Sequence, residues 1–145
     1  MTSFTHDEKD ATGRPVLRAD ESPIDGAPPE SASVLPVYCF DIDGTICTNT
    51  EGAYEEAIPF GDAIAAVNAL YERGHRIYLY TARGSGTGID WRELTERQMR
   101  TWGVRYHLIF MGKPSADIYV DDKTINADAW RRSGFTLTLS EAKHR

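Results

Sequence analysis

Asp41 and Asp43 are two carboxylates with one residue between them, at the end of the apolar run Val37-Tyr38-Cys39-Phe40. On an extended strand alternate side chains share a face, so the two acids point the same way and Ile42 points the other. Holding like charges side by side costs free energy through repulsion and desolvation unless a proton or a cation is shared between them. A bound metal would remove that cost. Taken alone, Asp-x-Asp-Gly serves equally well as a turn after a strand, because Asp and Gly are favoured turn formers. Three more polar stations follow in chain order: Thr81 after Arg76–Tyr80, Lys113 after His107–Phe110, and Asp121-Asp122 after Asp117–Val120. Each has a plain role by itself, respectively a strand-end cap, a solvated surface charge and a turn. Their joint order is what points to a site, since ligands of open α/β sheets bind beyond the carboxyl ends of the strands.

The wording Asp41-Ile42-Asp43-Gly44-Thr45, Tyr80-Thr81-Ala82-Arg83-Gly84, Gly112-Lys113-Pro114-Ser115-Ala116-Asp117 and Val120-Asp121-Asp122-Lys123 resembles the motif set of the haloacid dehalogenase superfamily of phosphotransferases. Within it, the wording looks like small members associated with polysaccharide and sugar-phosphate metabolism. The likeness covers about residues 37 to 130. It implies a phosphatase in which Asp41 is the nucleophile and forms an aspartyl phosphate. Asp43 would protonate the leaving oxygen and then deprotonate the water that cleaves the intermediate. Thr81 would donate to a phosphate oxygen, and Lys113 would neutralise charge on the phosphate and on Asp41. The resemblance also implies Mg²⁺, held by the Asp41 carboxylate, the Asp43 backbone carbonyl and Asp121, with Asp122 as a direct or outer ligand. Hard oxygen ligands suit that ion, and a chain without a Cys/His cluster does not suggest zinc.

Thr45, Ala82, Arg83 and Tyr54 are the candidates for contact with substrate. Arg83 either reaches the non-reacting part of the substrate or meets solvent, and Tyr54 belongs to residues 46–58, a local candidate for a small flap. The expected substrate is a phosphorylated sugar or similar small metabolite, with a protein or nucleic-acid phosphate as the alternative. A phosphoacceptor receiver domain uses the same residue types, but it places its acidic pair first and its Lys last, whereas here Asp-x-Asp opens the series and the acidic pair closes it.

The elements that must position these residues are legible as alternating strands and helices. From Asp62 to Arg73, Ile64, Val67, Leu70 and Tyr71 recur at helical spacing, with Gly74 as the stop. Asp90 with Glu93 suggests an N-terminal box for a helix running to Trp102, closed by Gly103. A short helix around Asn126–Arg132 follows, where Asn126 either caps the helix or orients an Asp ligand, and a last strand is predicted over Thr136–Leu139. The alternation predicts an α/β fold with a central, mostly parallel sheet wound by right-handed crossovers, and the resemblance makes it a three-layer, Rossmann-like core. His75 and His107 fall at strand starts, away from the site end, and read as structural. No cap domain is expected: the loop after the first motif is only residues 44–59, and only Met111 and Gly112 separate Phe110 from Lys113. An uncovered site stays wet, so a homo-oligomer shielding the cleft is expected.

Composition sets the remaining bounds. With 145 residues and 41% hydrophobic content, the chain suits one core, expected over residues 37–145. Residues 1–36 hold five of the seven prolines, seven acids and three bases, with no apolar periodicity, and read as a flexible acidic tail. The net charge of −6 leaves 15 acids against 13 bases in the remainder. That balance gives no basic stripe for nucleic acid. No stretch has the apolar length to cross a bilayer, and residues 1–10 lack a basic segment followed by an apolar one, so neither a membrane partner nor secretion is expected and a cytoplasmic location is. Cys39 and Cys47 flank the first motif, and Cys39 reads as a small buried hydrophobe.

Overall fold

The computed structural model describes residue 11 and residues 35–144. Apart from Ala11, Leu35 and Pro36, the expected 1–36 tail therefore lies outside the described residues. The rest is an α/β fold: β1 (Tyr38–Asp41), α1 (Gly61–Glu72), β2 (Ile77–Tyr80), α2 (Arg92–Trp102), β3 (Leu108–Phe110), α3 (Ala127–Arg132) and α4 (Leu139–Lys143). The three strands form one parallel sheet in the order β1-β2-β3. Its register aligns Asp41 with Tyr80 and Tyr80 with Phe110. All three strands thus end level, and the residues that follow them emerge at one edge.

The core forms because each element supplies an apolar stripe. Ile77 and Leu79 of β2 are fully buried, as are Ile109 of β3 and Ile42 just beyond β1. They pack with Ile64, Val67 and Tyr71 of α1 and with Met99 of α2, and Trp130 of α3 stacks at a tilt on Phe40. The helix stops match their sequence signals: the Gly103 backbone is left-handed and returns its N–H to the carbonyls of Met99 and Arg100. Asn126 accepts from the N–H groups of Asp128 and Ala129, so it caps α3. His75 and His107 are structural as expected: the His75 ring bonds the Pro36 carbonyl, and His107 accepts from the Ile77 N–H while stacking on Tyr71.

Four expectations about elements are corrected. The apolar run Val37–Phe40 reads as a central strand covered on both faces, but among the described residues it forms β1 at an edge of the sheet, with β2 in the middle. Cys39, next to the uncovered edge, is accordingly exposed rather than buried. Asp117–Val120 is not a strand, and Ile118 and Val120 are 79% and 95% exposed. Its local chemistry folds it back instead: the Tyr119 hydroxyl donates to the Pro114 carbonyl and accepts from the Ala116 N–H, which replaces ladder bonds with turn bonds. Thr136–Leu139 is not a strand either. Thr138 and Glu141 make a reciprocal capping box that starts α4 at Leu139, and that local pair of bonds outweighs the β preference of a four-residue run. At α2, the box expected from Asp90 and Glu93 reduces to one bond, in which the Asp90 carboxylate accepts from the Arg92 N–H.

Candidate functional site

Where the strands end, a cavity of about 540 Å³ opens, a size common for small-molecule sites. Asp41 and Asp43 stand on its wall beside Ala82, Arg83 and Lys113. After Asp41 the chain turns sharply: the N–H groups of Thr45 and Ile46 return to the Ile42 carbonyl, and Gly44 takes φ 87°, a conformation that a side chain resists. After β2, Thr81 donates its N–H to the Phe110 carbonyl, and Lys113 donates its N–H to the Thr81 carbonyl. Those two bonds extend the pairing of β2 with β3 past the last strand residue. They are why Lys113, 72 positions from Asp41 in sequence, brings its Nζ to 3.2 Å from the Asp41 Oδ1.

Burial pushes the Asp41 carboxyl above its ordinary value, and the nearby Lys113 ammonium opposes that push. Lys113 itself is flanked by aromatic faces, 4.4 Å from the Tyr119 ring centroid and 5.9 Å from that of Tyr80. An anion entering beside Asp41 therefore meets the Lys113 ammonium on the same wall.

Asp43 has a different partner. The Arg83 guanidinium donates Nε–H to Oδ2 and Nη2–H to Oδ1, both at 2.9 Å, in a bidentate fork. Arg83 is 2% exposed, so it does not meet solvent; it lines the cavity as the buried partner of Asp43. Thr81 is also buried, at 1%, and its Oγ1 accepts from the Arg83 N–H, the strand-end cap role rather than one aimed at the cavity. Thr45 is buried in the turn and does not line the cavity, whereas Ala82 and Tyr54 do. Tyr54 sits in a 3₁₀ turn, Tyr54–Glu56, with its ring against Trp91 edge-on. Gly84 completes the bend after Arg83, where a Cβ would collide with the Ile89 carbonyl.

Asp121 and Asp122 do not join Asp41 and Asp43. Both are exposed in the turn after the folded-back segment, where the Asp121 carboxylate accepts from the Lys123 N–H, and neither lines the cavity. No group of three or more Asp, Glu, His or Cys able to hold a metal occurs among the described residues. Of the residues the resemblance implies for Mg²⁺, Asp41 and Asp43 stand on the cavity wall, whereas Asp121 and Asp122 lie outside its lining.

Several residues of the site carry no motif. Thr95 and Gln98 of α2 bind Arg83, while Asn49 and Glu51 line the cavity. One signal was available for the first two: Thr95, Gln98, Met99 and Trp102 fall at the helical i, i+3, i+4, i+7 positions, and polar residues on a core-facing stripe need a buried partner. The cavity residues lie on loops, where periodicity gives no signal.

No family model matches the chain, and no curated protein matches it. Among solved structures, a Vibrio cholerae protein identified only as an MCSG target is similar in fold, with a TM-score of 0.60 and 22% identity over 76% of this chain and 95% of that one. At that identity the likeness speaks to the fold alone. A weaker likeness, with a TM-score of 0.43 and 19% identity over 64% of this chain and 32% of the other, is to a chain of the Pnkp1/Rnl/Hen1 complex; it carries no argument. Among the described residues no helix is long and apolar enough to cross a membrane.

Proposed function

We propose that the protein is a phosphate monoester hydrolase of the haloacid dehalogenase type, with a three-layer core and no cap domain, acting through an aspartyl phosphate on Asp41. The observation that supports this best is the Asp41 carboxylate facing the Lys113 ammonium at 3.2 Å, on the wall of a cavity at the strand ends, with Asp43 two residues on. Such a pair suits phosphoryl transfer, where catalysis is mostly positioning and charge neutralisation. The Asp41 oxygen not bonded to Lys113 attacks phosphorus, and the bond from phosphorus to the ester oxygen breaks in line. The leaving oxygen takes a proton. Water then attacks the acyl phosphate, freeing inorganic phosphate and regenerating the carboxylate.

Asp43 is the group placed to move those protons. Arg83 occupies one lone-pair direction on each of its oxygens and the Cys47 thiol donates to Oδ1, which leaves a direction on Oδ2 for a proton. The cavity rim adds the Asn49 amide, the Ser115 hydroxyl and the Tyr54 ring, hydrogen-bonding and apolar surfaces in the mixture that a polyhydroxylated leaving group requires. The substrate is accordingly a phosphorylated sugar or similar small metabolite. A partner copy covering the open cleft belongs to the same proposal. Magnesium enters only through the residue types of the acidic pair, and no step is routed through it.

The test is hydrolysis of aryl and alkyl phosphates by the full chain. Asp41→Asn cannot form the acyl phosphate, and its turnover should fall to background. Undiminished turnover would refute the covalent route. Because Asp41 must be ionised to attack and burial holds its proton more tightly than usual, activity should fall with decreasing pH earlier than an ordinary carboxylate would dictate. The linked stability change has the opposite sign: a raised folded-state value favours the fold at low pH, and the contribution fades as pH rises through it.

A further inference from the structure

We propose that Arg83 is a positioning residue for the proton-transfer step: a buried fork that fixes the plane of the Asp43 carboxylate and locks it to helix α2 and to the loop bearing Tyr54. The inference rests on the phosphatase proposal. Every nitrogen of the guanidinium is engaged. Nε and Nη2 hold Asp43, and Nη1 donates to the Thr95 Oγ1 at 3.1 Å and to the Gln98 Oε1 at 2.5 Å. Nη2 also lies 3.8 Å from the Cys47 sulfur. The guanidinium carbon sits 4.7 Å from the Tyr54 ring centroid, a cation–π contact. Nothing is left over to grip a phosphate, and the side chain has no exposed surface.

The geometry defines what such a residue does. A carboxylate on a short side chain rotates freely about its last torsion unless something planar holds it. The fork is planar and rigid, so it sets which lone pairs of Asp43 face the cavity, a constraint that a lysine ammonium, a point charge, does not impose. The fork is in turn anchored from behind by two side chains of α2. Gln98 also donates its Nε2–H to the Tyr54 carbonyl at 2.6 Å, which ties the wall of the cavity to the same hub. Holding a proton-transfer group within a narrow range of angles is worth a large factor in rate when the proton is in flight and little when it is not.

That dependence supplies the test. A para-nitrophenolate leaves without help from an acid, whereas the alkoxide of glycerol phosphate needs a proton. With Arg83→Ala, the single-turnover rate of phosphoryl transfer to Asp41 should fall at least ~100-fold for glycerol phosphate and much less for para-nitrophenyl phosphate, read as its burst of para-nitrophenolate, while hydrolysis of the acyl phosphate, common to both esters, slows equally for both. Millimolar guanidinium should restore part of the lost glycerol phosphate turnover in Arg83→Ala and none in the Asp43→Asn/Arg83→Ala double variant. Arg83→Lys should recover little, lacking the fork. Should Arg83→Ala fail to fold, Gln98→Leu leaves the Asp43 fork in place while removing one anchor, and should show a smaller loss with the same preference for the alkyl ester. A rise in KM with unchanged kcat would overturn the proposal in favour of substrate binding. Equal losses of the phosphoryl-transfer rate on both esters without guanidinium rescue would overturn it in favour of a merely structural arginine. Wild type inactive on both esters, or Asp41→Asn fully active, would instead sink the phosphatase proposal and this inference with it.

Discussion

Replacing Asp43 by alanine strands a guanidinium whose side chain has no exposed surface. In the native arrangement the pair is 2.9 Å apart, with the Arg83 side chain at 0% and the Asp43 side chain at 18% exposure. Removing one member of such a pair leaves a buried charge uncompensated, a loss of about 3–5 kcal/mol when no water can enter. Here Nη1 keeps Thr95 and Gln98, and the Asp43 side opens on the cavity, so the lower end applies, about 3 kcal/mol. For a domain of this size that is roughly 12 °C in Tm. Urea unfolding followed by far-ultraviolet circular dichroism measures it, as a fall in the midpoint at constant slope. The cycle closes with Arg83→Met and the double variant Asp43→Ala/Arg83→Met. Removing both partners replaces a charged pair by apolar surface, so the double variant should be more stable than the sum of the two singles by about 1.5 kcal/mol or more. A loss below about 1 kcal/mol in Asp43→Ala, or a cycle additive to within about 0.5 kcal/mol, would refute the claim that the two groups depend on each other.

Two further outcomes are expected. The Cys47 thiol is fully buried, and burial beside the Asp43 carboxylate pushes it up to about 12; an aromatic disulfide reagent at pH 8 should therefore titrate exposed Cys39 alone until urea is added, and fast labelling of both thiols in the native protein would contradict the packing around the first motif. Hydrolysis should stop in EDTA and return with Mg²⁺; full activity in the chelator would remove the metal from the proposal.

What the sequence revealed and what it hid divide along physical lines. Periodicity over a long window found α1 within a residue at each end, because twelve residues with four buried positions leave little room for another phase. It also found the last turn of α2 through Gly103. Strand-end placement found Asp41, Asp43 and Lys113, since the parallel register aligns the ends and a level edge collects whatever follows. It failed for Asp117–Val120 and Thr136–Leu139. Each is a four-residue run whose neighbours offer competing local bonds, Tyr119 with Pro114 and Ala116 in the first, Thr138 with Glu141 in the second. Short β runs are decided by whether a partner strand is available, and no single run encodes that.

The role of Arg83 was hidden for the opposite reason. Its partner in charge lies 40 residues away and its anchors 12 and 15 residues ahead, so nothing local distinguishes it from an arginine in solvent. Only the fold closes those distances, and it does so by setting the start of α2 against the end of β1. Burying a guanidinium is costly unless every donor finds an acceptor. Asp43, Thr95 and Gln98 together satisfy that condition, and a chain that meets it at the end of a strand, beside a second carboxylate on a cavity wall, holds one acid rigid where the other, Asp41, is left open to the cleft. The asymmetry between the two aspartates thus comes from their partners: a planar fork for one and a single ammonium on a flexible stem for the other. Equal carboxylates in the sequence become unequal in the fold, which is the condition for one to attack while its neighbour handles protons.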